Sequence, residues 1–286
     1  MRRPGHSVVG VTDRPCATGT RRPRGNVPAG GGGTIVPLAR GWPGRMKARL
    51  LASVLMTPRL VLWDIDGTLV RAGDLGAAVF DRALAAVLGR LPSERIRMSG
   101  KTDPQIVREY LELMEIGNLD TLPAVLRRLE VELAAAAHEL AETGSVCPGA
   151  EDALAALSKE EGLTQSVLTG NIAPNAVVKL AAFGLERYLD LEAGAFGSDH
   201  ADRRALVPIA LARQEELHGR RLSAEDVWVV GDTPNDFACA AAARAHCVLV
   251  ATGRYGVAEL APLGADAVLA DLRDTDAVVE LLAPPR

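Results

Sequence analysis

Val61-Leu62-Trp63-Asp64-Ile65-Asp66-Gly67-Thr68-Leu69 is the stretch whose reading decides the fold. An apolar run of strand length ends in two carboxylates one residue apart, and a Gly-Thr turn follows. Side chains alternate along a strand, but a break immediately after Asp64 lets both acids be aimed at one spot beyond the strand's carboxyl end. Two carboxylates held that close repel unless a cation or a proton intervenes. A divalent metal beside a nucleophilic carboxylate meets this demand, and that pairing serves aspartyl-phosphate chemistry. Taken alone, the segment also reads as a strand closed by an Asp-Gly turn.

Two later segments repeat the pattern. Val227-Trp228-Val229-Val230 is another short apolar run that stops at Gly231-Asp232-Thr233-Pro234-Asn235-Asp236. Between the two, Gln165-Ser166-Val167-Leu168 leads into Thr169-Gly170-Asn171. Strand ends thus carry acid, hydroxyl and acid groups, and the carboxyl edge of an open parallel sheet is where ligands bind.

With DIDGT at 64–68, LTGN at 168–171 and GDTPND at 231–236 in this order, the chain resembles the haloacid dehalogenase superfamily of phosphohydrolases over residues 58–283. Paired DxDGT and GDTxxD signatures are specific because each acid has a stated job at a strand end. The resemblance implies a Rossmann-like core with a helical cap inserted after the first strand, in the phosphoglycolate phosphatase-like branch.

The composition agrees with an aliphatic α/β protein. Of the 286 residues, 48% are hydrophobic and only 3% aromatic, as expected for helices packed over a parallel sheet. Cys16, Cys147, Cys239 and Cys247 form no CxxC pair, which favours reduced thiols and a cytoplasmic setting. The net charge of -4 hides a division: residues 1–57 carry ten Lys or Arg against one acid, so the remainder is strongly acidic. An acidic body argues against nucleic acid as a partner. The leader, rich in Gly, Pro and Arg, lacks the apolar periodicity needed to pack and reads as a disordered extension. Leu50–Met56 is too short for a membrane span, and Met46 and Met56 are alternative starts.

From Pro58 the periodicity predicts helices at 76–88, 104–114 and 122–140 with no strand between them, hence a cap domain at 75–142. The core occupies 58–74 and 143–286. Within it the pattern predicts strands at 163–168, 191–196, 227–230, 246–250 and 267–269, and helices at 150–159, 173–183 and 204–218. Strands alternating with helices give a three-layer α/β sandwich on a parallel sheet.

On these residues the resemblance implies a Mg²⁺-dependent phosphomonoester hydrolase. Asp64 is the expected nucleophile, and Asp66 the acid to the leaving alkoxide and base to the attacking water. Mg²⁺ is expected on Asp64, the Asp66 carbonyl, Asp232 and Asp236, although Asp236 also suits a helix start. Thr169 and the amides of Gly170 and Asn171 are expected to donate to phosphate oxygens. The resemblance also calls for a cation between the second and last motifs; Ser198–Arg204 offers no lysine, so Arg203 is chosen, with Arg204 next. Lys101 and Thr102 in Ser99-Gly100-Lys101-Thr102-Asp103-Pro104 are placed to meet the substrate's organic part or a second anionic group, and the same stretch reads as a capped helix start. The histidines show no metal spacing. A phosphomutase of the β-phosphoglucomutase type keeps both early acids and is the nearest alternative; a noncatalytic phosphate-binding protein is the alternative from another class.

Overall fold

A computed structural model describes residues 58–118 and 120–283; the basic leader, with His6 and Cys16, lies outside them. Among the described residues the centre is a five-stranded sheet, parallel at every pairing, in the order β4-β1-β5-β6-β7. These are β1 (Arg59–Trp63), β4 (Leu163–Val167), β5 (Val227–Gly231), β6 (His246–Val250) and β7 (Ala267–Leu269).

Alternation along the strands builds two cores, one on each face. Val61, Trp63, Trp228, Val230, Val248 and Val250 point to one side, where α5 (Ala150–Leu157), α6 (Ala173–Ala181) and α10 (Thr275–Leu282) supply Leu154, Leu157, Leu180, Val278 and Leu282. Leu60, Leu62, Val227, Val229, Cys247 and Leu249 point to the other, against α7 (Leu206–His218), α8 (Pro234–Ala243) and α9 (Val257–Leu260). Burial on both faces explains why these strands read as continuous apolar runs. The result is the three-layer α/β architecture expected.

Between β1 and β4 the chain makes a short antiparallel ribbon, β2 (Val70–Arg71) with β3 (Ser145–Val146), that brackets four helices. These are α1 (Leu75–Leu88), α2 (Asp103–Leu113), α3 (Thr121–Ala135) and α4 (Ala137–Thr143). They have a core of their own, with Val79, Leu84, Ile106, Tyr110, Leu129 and Leu140 at its centre. Among the described residues no helix is long and apolar enough to cross a membrane.

The structure corrects some local expectations. Residues 191–196 form no strand: only Ala195 bridges, to Leu168, because Gly194 and the polar Glu192 interrupt the run while Ala193 and Phe196 turn inward. The single helix expected at 122–140 breaks at Ala136 (φ -93°, ψ 8°), which lets Leu140 re-enter the core. The β2–β3 ribbon, α9 and α10 were not anticipated; strands of two residues carry no readable periodicity.

Candidate active site

β1 delivers Asp64 to the carboxyl edge of the sheet, where its amide still donates to the Val230 carbonyl at 2.8 Å. The chain then turns sharply: Val70 N–H returns to the Ile65 carbonyl at 2.9 Å, and Gly67 has φ +87°. That position has to be glycine. A Cβ there would stand 2.5 Å from Asp232 Oδ2, and the backbone angle itself disfavours any side chain. The turn exposes Asp66 while Asp64 stays buried, so the two acids face different environments.

Asp232 and Asp236 arrive from β5 and the first turn of α8. Thr233 and Asp236 form a reciprocal capping box, with Asp236 Oδ2 accepting from the Thr233 amide at 2.9 Å and its hydroxyl at 2.7 Å. Asp236 therefore starts the helix, and it also faces the other acids. Carboxylate oxygens of Asp64, Asp232 and Asp236 lie within 4.8 Å of one another, all buried. Arg203 is buried beneath them, its Nη2 donating to Asp64 Oδ1 at 2.8 Å, Asp236 Oδ1 at 2.5 Å and the Leu168 carbonyl at 3.2 Å.

One guanidinium does not balance three acids. Desolvation pushes the Asp64 carboxyl up to about 6, with Arg203 opposing and Asp236 and Asp66 adding to the rise. Asp232 is pushed up to about 9, by desolvation first and then by Asp236 and Asp64. Asp232 Oδ1 is buried without a hydrogen-bond partner. A clustered, desolvated, oxygen-only donor set with an unpaired oxygen is what a hard divalent cation requires, so these residues fit Mg²⁺.

Beside this cluster stands a polar network from the β4 end. Asn171 Nδ2 donates to Asp66 Oδ2 at 2.7 Å and to Thr169 Oγ1 at 2.8 Å. Lys179, on the inner face of α6 and buried, donates to both Asp66 oxygens and to Asn171 Oδ1, each at 2.7 Å. Sequence reasoning missed Lys179 by searching for the cation only near Ser198–Arg204. A signal was present: Lys179 shares its helical face with Ala176 and Leu180, a side that otherwise carries core residues. Arg203 does reach the site, whereas Arg204 is exposed and pairs with Asp202 at 2.8 Å.

The stretch from Ser99 to Asp103 inserts from the helical layer. Thr102 caps α2, accepting from Gln105 N–H at 3.2 Å, and donates to the Ala201 carbonyl at 2.6 Å; its hydroxyl is committed and does not line the cavity. Asp103 docks on the Thr169–Ile172 loop twice, through its amide to the Gly170 carbonyl at 2.7 Å and through Oδ2, which accepts from Ile172 N–H at 2.8 Å. Gly170 permits this approach, since a Cβ there would overlap the Lys101 carbonyl. Lys101 lines the cavity but is ion-paired with Glu109.

The arrangement is a pocket with acids at a sheet edge, hydroxyl and amide groups beside them, and side chains of the helical layer in its lining. A family profile for haloacid dehalogenase-like hydrolases matches residues 61–241, and the chain belongs to that family. It is an enzyme of the phosphatase kind, similar to phosphoglycolate phosphatases. Phosphoglycolate phosphatase 1 of Pseudomonas aeruginosa is 34% identical over 242 residues, 79% of this chain and 83% of the relative. The plasmid-borne phosphoglycolate phosphatase of Cupriavidus necator is 33% identical over 82% of this chain and 98% of its own length. A solved hydrolase from Pseudomonas syringae shares the fold, with TM-score 0.61 at 21% identity over 79% of this chain and all of the other.

Proposed function

We propose that the protein is a Mg²⁺-dependent phosphomonoester hydrolase that works through a phosphorylated Asp64, with the helices of residues 75–142 as its cap. The observation that supports this best is the pairing of a buried acid cluster, with Asp232 Oδ1 unpaired, with a solvent-accessible Asp66 in the same cavity. Asp64, Asp232, Asp236 and the Asp66 carbonyl would hold the ion. Bound there, Mg²⁺ offsets the charge of carboxylate and phosphate so that they can approach.

In the first step an Asp64 carboxylate oxygen attacks phosphorus in line, and the ester P–O bond breaks with its electron pair on the leaving oxygen. Asp66 gives that oxygen a proton. In the second step Asp66 takes a proton from water, which attacks the same phosphorus; the P–O bond to Asp64 breaks, releasing phosphate and restoring the carboxylate. Thr169 and the amides of Gly170 and Asn171 donate to the phosphoryl oxygens. Arg203, tied to Asp64 and Asp236, would serve mainly as counter-charge to the acids, and Lys179, in the cavity lining beside Asp66, would be the cation that meets phosphate. Lys179 donates to both Asp66 oxygens at 2.7 Å, and an incoming phosphoryl dianion would compete for that ammonium.

Phosphate release from p-nitrophenyl phosphate, with Mg²⁺ and with EDTA, tests the reading. Turnover that disappears with EDTA and returns with Mg²⁺ is expected, together with a mass gain of one phosphoryl group on the peptide containing Asp64 after rapid acid quench. A folded, Mg²⁺-loaded protein inactive toward a broad set of phosphate esters rules it out.

A further inference from the structure

The cavity above the acids has two unlike ends. Its volume is about 500 Å³, within the range of roughly 300–1,000 Å³ that holds drug-sized organic ligands. One end carries Asp64, Asp66, Thr169, Asn171 and Lys179. The rest is walled mainly by carbon, from Val79, Phe80, Met98, Ile106, Leu129 and Leu133. These side chains belong to, or pack against, the core of the four-helix layer, so the cavity borders that core on the side of the catalytic acids.

Cations along the cavity are mostly already matched. Lys101 is paired with Glu109 and Lys179 with Asp66, while Arg203 is held by Asp64 and Asp236. Arg71 donates to the Thr252 carbonyl at 2.9 and 2.6 Å. Among the described residues, Arg254 is the lining cation with no ion pair or hydrogen bond; it is exposed, and its neighbour Gly253 abuts Asp232, on the acid side of the cavity. A substrate whose second anionic group projects among Val79, Phe80, Leu129 and Leu133 would set that charge against carbon, which is costly. Phosphoglycolate, whose leaving group is a two-carbon acid, is such a substrate and would leave most of the space unfilled.

We infer that the phosphomonoester hydrolysed by this chain has an uncharged leaving group with an apolar body several carbons long, seated against Val79, Phe80, Met98, Ile106, Leu129 and Leu133. This rests on the phosphomonoesterase reading above and narrows it to a substrate class. Phosphate binds at the sheet edge in any case, and the carbon wall then selects among esters by the area they bury.

The test is a chain-length series on the full-length enzyme with Mg²⁺. Straight-chain alkyl monophosphates from ethyl to hexyl are compared with 2-phosphoglycolate by kcat/KM. Each added methylene is expected to raise kcat/KM about three- to fourfold, on the order of a hundredfold across the series, with 2-phosphoglycolate below hexyl phosphate. Ala77→Phe, which narrows the cavity from α1, is expected to cost hexyl phosphate at least about tenfold more than ethyl phosphate. A flat series with 2-phosphoglycolate preferred, and that preference lost in Arg254→Ala, overturns the inference while leaving the phosphatase intact. Should no ester be hydrolysed, p-nitrophenyl phosphate included, the phosphatase reading fails by itself. Calorimetric binding of ethyl- to hexylphosphonate then decides the cavity: the same slope with chain length supports the apolar seat, and a flat slope removes it.

Discussion

At the sheet's carboxyl edge most of the functional side chains are held by directional bonds: Asp64 by Arg203, Asp236 by the Thr233 box, Asp66 by Asn171 and Lys179, with Asp232 Oδ1 the unpaired exception. Across the same cavity, Val79, Ile106 and Leu129 are held only by packing within the helical layer. Hydrogen bonds and ion pairs fix position to fractions of an ångström, as charge transfer to phosphorus demands. Dispersion contacts tolerate exchange of similar volumes. On the proposed reading the two regions divide the work: one would set the rate of the chemical step, the other which ester reaches it. The division fails if a change at the polar edge alters selectivity alone, or if a change in the apolar wall alters the chemistry alone.

The largest effect is expected from Asp64→Asn. With no carboxylate to attack, kcat should fall by at least about 10⁴-fold toward p-nitrophenyl phosphate, and no phosphoryl adduct should accumulate. Asp66→Asn should lower kcat by about 10²–10⁴-fold, and Mg²⁺ binding by calorimetry should persist because only the Asp66 carbonyl is asked to meet the ion. Undiminished turnover in Asp66→Asn would detach proton transfer from this residue and return the polar edge to a simpler design.

The acid cluster also predicts a dependence of stability on pH and metal. Asp64 and Asp232 have folded pKa values raised above that of a free aspartate, to about 6 and about 9. The folded state then binds more protons than the unfolded state between about pH 4 and 9, so metal-free stability falls as pH rises through that window. Tm without metal should be higher at pH 5 than at pH 8. Mg²⁺ should raise Tm more at pH 8, where the carboxylates must ionise and the cation binds the ionised form. Equal Mg²⁺ shifts at both pH values, or a metal-free Tm that climbs with pH, would mean the acids are balanced by something other than a cation.

The polar edge was readable in the sequence because its chemistry sits at strand ends. Asp64, Asp66, Thr169, Asn171, Asp232 and Asp236 all follow short apolar runs, and the turn chemistry of Gly67 and Gly170 marks where each run stops. Lys179 was not readable in that way. It reaches the site from the seventh residue of α6, and which helical face meets Asp66 depends on how α6 packs on the sheet. Arg203 and Arg204 were adjacent candidates for the same reason, and only the three-dimensional path of the segment Arg203–Ala205 decides that Arg203 turns inward. The apolar wall was the least legible part: Val79, Ile106 and Leu129 lie on separate helices at ordinary core spacing, and periodicity alone does not distinguish a core face that is covered from one that borders a cavity.

Asp103 joins the two regions, and the smallest expected effect tests that joint. It belongs to the first turn of α2 but accepts from Ile172 N–H, the residue preceding α6, and lies near enough to Lys179 to feel its charge. Burial pushes its carboxyl up to about 6, with Lys179 and the Ile172 amide pulling the other way. Asp103→Ala leaves that amide without its partner and frees the loop that presents Thr169 and Asn171. A loss of about 2 kcal/mol is expected, read as a Tm lower by about 4–8 °C. The Ki for inorganic phosphate should rise several-fold, since the loop amides are the groups proposed to hold it. Asp103→Asn keeps an acceptor of the same shape and should recover most of the phosphate affinity. If both variants lose stability and neither changes the phosphate Ki, Asp103 merely fastens two layers together, and the polar edge organises its donors without help from the helices above.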